Sequence, residues 1–80
     1  MTRQEIDREV QQALEEAGIR PHQVGCKGAR LSILVGNDQH VLDLRTDGMT
    51  HYRMKSIVEQ IHALGHRHQR HQEAVKARGR

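Results

Sequence analysis

Residues 30–44 read Arg-Leu-Ser-Ile-Leu-Val-Gly-Asn-Asp-Gln-His-Val-Leu-Asp-Leu, and no other stretch narrows the fold as much. Two β-prone runs flank Gly36-Asn37-Asp38, which is the signature of a hairpin. With Asn37-Asp38 as the turn residues, Val35 faces His40, Ile33 faces Leu42 and Leu31 faces Leu44 on one side. The other side then pairs Leu34 with Val41, Ser32 with Asp43 and Arg30 with Arg45. One side is nearly all apolar and the other mostly polar, as a sheet covered on a single face requires. His22–Lys27 predicts a further, weaker strand, supported only by Val24 and Cys26.

Helical patterns stand on both sides of this β region. Thr2-Arg3-Gln4-Glu5 has the form of a capping box, and Ile6, Val10, Ala13, Leu14 and Ala17 follow at helical period. Glu5, Asp7 and Glu9 fall in the first turns, where the helix dipole favours acids, and Gly18 with Pro21 supplies the stop. The first helix is therefore expected over about residues 3–17. A loop at Arg45-Thr46-Asp47-Gly48 leads to a second helix after Thr50, with Met54, Ile57, Val58, Ile61 and Leu64 as its apolar stripe. Gly65 is read as its end.

The expected fold is thus α+β, in the order α-β-β-β-α, with two helices packed on one face of a three-stranded antiparallel sheet. Residues 1–65 form this domain, and residues 66–80 form a basic, His-rich tail, either mobile or helical once bound to a partner.

Composition limits what such a domain does. There is no Trp or Phe, and Tyr52 is the sole aromatic, so the core is aliphatic. A sheet that stacks bases needs two or three aromatics on its face, which excludes readout of the RNA-recognition-motif type. A chain of this size buries only about 60% of its unfolded surface, so the core is thin. Cys26 is the only cysteine, which rules out an intrachain disulfide. No apolar run reaches a membrane span, and Met-Thr-Arg-Gln-Glu does not begin a signal peptide, so a cytoplasmic protein is expected.

The net charge of +3 is unevenly placed. Residues 1–44 hold five Lys/Arg against seven Asp/Glu, whereas residues 45–80 hold eight against three. A basic half points to a polyanion. His51, Arg53 and Lys55 open the second helix, where the dipole disfavours cations and free amides invite an anion. A phosphate there makes sense of all three side chains, although each taken singly is also a long side chain bent into solvent. Lys27, with the Arg30/Arg45 pair, extends the candidate patch, and Arg67 and Arg70 in the tail add affinity. Asp43 and Asp47 offer the arginines an internal counter-charge instead.

Other chemistry has little support. His62/His66 and His68/His71 have ligand-like spacings, but no acid or cysteine matches them, so no metal site and no cofactor are expected. Gly25-Cys26-Lys27-Gly28 lacks the pattern of a phosphate-binding loop, and no catalytic group stands out.

The order of elements, with Lys27-Gly28 entering the middle strand, resembles the HicA-type family of mRNA-cleaving toxins, which share the topology of double-stranded-RNA-binding domains. The resemblance spans about residues 5–64 and rests on Glu16-Ala17-Gly18, Lys27-Gly28, the central hairpin and Met54-Lys55-Ser56-Ile57. In that family a Gly-Ser-His run on the middle strand supplies the catalytic histidine. Here the matching stretch is Gly28-Ala29-Arg30, and His40 on the neighbouring strand, pointing inward, is the only nearby replacement. The resemblance therefore implies binding over cutting, with His51, Arg53 and Lys55 placed like the basic cluster that grips phosphates in double-stranded-RNA-binding domains. The leading expectation is a non-catalytic nucleic-acid-binding domain, RNA favoured. A protein-interaction module, such as a small inhibitor or a toxin–antitoxin partner from a mobile element, is the alternative, with exposed Leu34 and Val41 or an open sheet edge receiving a partner or a second copy. A HicA-like ribonuclease using a displaced histidine, His40 or His51, ranks third.

Overall fold

The computed structural model describes residues 1–78, with side chains over residues 1–70. Its elements are α1 (Arg3–Glu16), a 3-10 turn (Pro21–Gln23), β1 (Val24–Lys27), β2 (Arg30–Val35), β3 (Asp38–Asp43) and α2 (His51–Arg78). The strands form one antiparallel sheet in the order β1-β2-β3, giving the α+β arrangement α-β-β-β-α. Among the described residues, no helix is long and apolar enough to cross a membrane.

Both ends of α1 are closed by local chemistry. Thr2 Oγ1 accepts the Glu5 N–H (3.2 Å), and Glu5 Oε1 accepts from the Thr2 backbone (3.3 Å). This reciprocal box satisfies amide groups that a helix start leaves free. At the other end Gly18 takes φ +73°, its N–H donates to Glu15 O, and the Ile19 N–H donates to Leu14 O. That is the Schellman closure, and Ile19 follows the turn into the core.

The hairpin differs from the expected one by two residues. β2 and β3 are joined by Gly36-Asn37, with Val35 opposite Asp38, Ile33 opposite His40 and Leu31 opposite Leu42. Gly36 has φ +61° while Asn37 is not in the left-handed region, which is the II′ arrangement that wants Gly first. A shift of two preserves side-chain parity, so Leu31, Ile33 and Val35 still face the core and Leu34 and Val41 still face out. The pairings change, however: Arg30 stands opposite Asp43 rather than Arg45. The expected stacking of like charges at that position does not occur.

The second correction concerns Gly65, which does not end α2. The helix runs on to Arg78, so residues 66–78 continue the same element. Gly65 instead lies where α2 crosses the end of α1: a Cβ built on it would collide with the backbone and side chain of Ala17. The missing side chain serves close packing, not termination. The expectations for the His71 and Val75 side chains and for residues 79–80 lie outside the described residues.

The core is aliphatic and lies between the helices and one face of the sheet. Ile6, Ile33 and Ile61 are its most deeply buried side chains, one each from α1, β2 and α2. Gln23 is the single buried polar residue among those described. Its Nε2 donates to Leu34 O (3.0 Å) just past the end of β1, and its Oε1 accepts the Arg20 N–H (3.1 Å). The same Nε2 lies 3.3 Å from His68 Nδ1, tying the far part of α2 to the sheet. Among the described residues no element covers the other face.

Candidate nucleic-acid interface

The open face acquires its charge at one end. Gly28-Ala29 turns β1 into β2 with Gly28 at φ +62°, which sets Lys27 opposite Arg30. The β2–β3 register then sets Arg30 opposite Asp43. These three alternate with core-facing Leu31 and Leu42, so they form a row across the open face. Immediately beyond β3, the Arg45 N–H donates to Asp43 Oδ1 (3.1 Å) and Arg45 Nε donates to Oδ2 (2.9 Å). Arg53 reaches back from the first turn of α2, and its Nη2 donates to Asp43 O (3.4 Å).

Four cations from β1, β2, the β3–α2 loop and α2 therefore gather at this end of the sheet, with Arg45 on the Asp43 carboxylate, Arg53 on its backbone oxygen, Arg30 opposite it and Lys27 one strand further. The Arg45 backbone N–H is the largest cause holding the Asp43 carboxyl below its ordinary value, and the charges of Arg45 and Arg53 add to it. Asp43 stays ionised and offsets one charge, leaving this end of the sheet strongly positive. Among the described residues, neither Lys27 nor Arg30 is in an ion pair.

The remaining sequence candidates do not join this group. His51 and Lys55 are four apart and share the α2 face that looks toward α1, lining a groove with Glu5, Arg8, Glu9 and Glu59. Arg53 falls about 200° around the helix from each of them, on the flank toward the sheet. The cluster expected at the start of α2 is thus divided, and its His51–Lys55 half faces acids. Thr50 Oγ1 also accepts the Arg53 N–H (3.1 Å), so part of the helix start is capped from within. Arg67 and Arg70 are exposed on α2, roughly 20–25 Å along its axis from Arg53.

One cation escaped the sequence reading. Arg3 at the start of α1 donates from Nη1 to Leu44 O (3.0 Å), beside the Arg53–Asp43 bond, and pairs with Asp7 at 3.3 Å. It lies 41 residues from its acceptor, and no local pattern announces such a contact.

The histidines stand apart from the cluster. His40 faces inward, and its Nε2 is buried without a hydrogen-bond partner among the described residues. The continuity of α2 does put His62 and His66 on one face, and His62 Nε2 lies 3.2 Å from Glu16 Oε2. Even so, no three His, Cys, Asp or Glu converge as a metal-holding group among the described residues.

No family model matches the chain, and no curated protein or solved structure matches it either.

Proposed function

We propose that this domain binds nucleic acid, RNA in preference to DNA, by holding phosphates at the charged end of the open face. The observation that carries this reading is the placing of Lys27, Arg30, Arg45 and Arg53 at one end of the open face, with a single acid, Asp43, in their row. Without an aromatic on that face, recognition goes to backbone and shape, not to base sequence. The α-β-β-β-α order, similar to that of double-stranded-RNA-binding domains, favours duplex RNA among the candidates. A binding role is also favoured over cleavage, because the only histidine on the strands, His40, is turned away from the open face.

The test is anisotropy binding to labelled single-stranded RNA, duplex RNA and duplex DNA at about 50 and 200 mM salt. Engaging three or four phosphates gives a slope of log K against log salt of about −3 to −4 on a duplex. Arg30→Ala/Arg53→Ala should weaken binding and flatten that slope, whereas His51→Ala/Lys55→Ala should do little. Wild-type protein that binds none of the three at the lower salt, or binds without salt dependence, overturns the reading.

Exposed Leu34 and Val41 favour a second reading, in which the same open face receives a protein.

A further inference from the structure

The two edges of the sheet are protected unequally. β1 is four residues long, follows Pro21, and is extended by the Gln23 side chain, which takes up Leu34 O. β3 is six residues long and contains no proline, no lysine and no bulge, so of the usual devices that discourage edge pairing it has its terminal aspartates and the Arg53 side chain on Asp43 O.

Which of its backbone groups are free follows from the ladder. The Leu44 N–H donates to Ala29 O (2.7 Å), so residues 29 and 44 occupy a hydrogen-bonded position. Antiparallel alternation makes Leu31–Leu42, Ile33–His40 and Val35–Asp38 the next such pairs. The N–H and C=O of Gln39, Val41 and Asp43 consequently point away from β2. The Arg53 bond to Asp43 O, made from outside the ladder, agrees with this.

We propose that β3 pairs antiparallel with β3 of a second copy of this chain, on a two-fold axis through Val41. A two-fold axis passes through either a hydrogen-bonded or a non-hydrogen-bonded pair. At the non-hydrogen-bonded positions, an axis at His40 sets two imidazoles opposite each other, and one at Leu42 sets Val41 against the partner's Asp43. An axis at Asp43 sets two aspartates opposite each other, and one at Gln39 runs most of the partner strand past the turn. The axis at Val41 pairs Val41 with itself and Gln39 with the partner's Asp43, satisfying outward groups at all three positions once Arg53 gives up its bond to Asp43 O. It also brings Asp38 at the start of one strand to the level of Leu44 in the other copy, next to that copy's Arg45. Opposite charge therefore lies at the strand ends, with no like charges directly opposed. On the open face, Val41 (56% exposed) meets its equivalent, with Leu34 (46% exposed) nearby.

The product is a six-stranded sheet with all four helices on one face and both basic clusters on the other. This inference does not depend on the nucleic-acid reading.

Analytical ultracentrifugation of the full chain, up to millimolar concentration, tests it. Wild type is expected to form a dimer in which the Gln39 and Val41 amides are protected from hydrogen exchange only at high concentration. Val41→Pro deletes an N–H that β2 does not use, and Val41→Lys places two charges together on the axis. Each should give a monomer with an unchanged circular-dichroism spectrum, and the lysine variant serves if the proline variant fails to fold. Val41→Cys in a Cys26→Ser background should cross-link on oxidation. A monomer at every concentration, a dimer kept by Val41→Lys, or a dimer that Val41→Cys does not cross-link overturns the proposal.

Discussion

Up to Leu64, α2 lies against the sheet and α1, with Met54, Ile57, Ile61 and Leu64 buried on one stripe. Beyond Gly65 the same helix continues to Arg78 with a different support. Residues 66–70 present only His68 as half-buried, beside Gln23, while Gln69 lies near Gly18 at the end of α1. A helix of 28 residues is about 42 Å long, most of the 48 Å longest dimension of the molecule. The first half is held by burial. The second continues a helix that is already nucleated, so each added residue gains a hydrogen bond without a new nucleation cost. Length alone is thus no sign of a larger core.

Changes on either side of Gly65 should separate the two kinds of support. The largest effect belongs to the first half. Ile61→Ala empties a fully buried position and should cost about 2–5 kcal/mol in urea unfolding. Gly65→Ala comes next, at about 1–3 kcal/mol of destabilisation from overpacking. On propensity alone alanine should stabilise a helix interior by about 1 kcal/mol, so the sign of the change decides whether Gly65 is a crossing point. Pairing it with Ala17→Gly should restore little, because Ala17 O obstructs the new methyl as well.

In the second half, Arg70→Pro should remove helical circular-dichroism signal while shifting global stability by no more than about 0.5 kcal/mol. A large fall in stability would mean that the extension is part of the cooperative core. The smallest effect is on acid stability and belongs to the end of the molecule near the start of α2. Thr2 holds the Glu5 carboxyl below its ordinary value, chiefly through its backbone N–H, and the Arg45 N–H does the same for Asp43. A depressed carboxyl stabilises the fold above its ordinary value, here 4.5 for Glu5 and 3.8 for Asp43, and that stabilisation is lost as pH falls through the lower folded value. Glu5→Gln and Asp43→Asn should each reduce the loss of stability on acidification, followed by urea midpoints below pH 5 or so.

What could be read in advance was local. The Thr2/Glu5 box, the Gly18 stop and the two apolar stripes each involve residues within a few positions of one another, and each appears in the fold. Gly36-Asn37-Asp38 contains two overlapping two-residue turns, and face parity is the same for both. Only the backbone at Gly36 distinguishes them. Gly65 follows an apolar stripe just as a terminal glycine does, and its true neighbour, Ala17, is 48 positions away in the chain. The charged cluster was half legible for the same reason. Lys27, Arg30, Arg45 and Arg53 could each be named, and Asp43 as a counter-charge, but the placing of Asp43 opposite Arg30 follows from the corrected register. Nearness in sequence joined His51 and Lys55 to Arg53, whereas residues two apart lie on nearly opposite sides of a helix.

Tyr52 stands 86% exposed in the first turn of α2, in a chain with no Trp and no Phe. All its near-ultraviolet absorption and emission by aromatic side chains therefore come from one phenol, already in solvent. Unfolding should leave that emission almost unchanged, so fluorescence is a poor monitor of the core. A quench on adding a ligand, by the same reasoning, reports on the start of α2, and the protein carries its own optical probe beside Arg53.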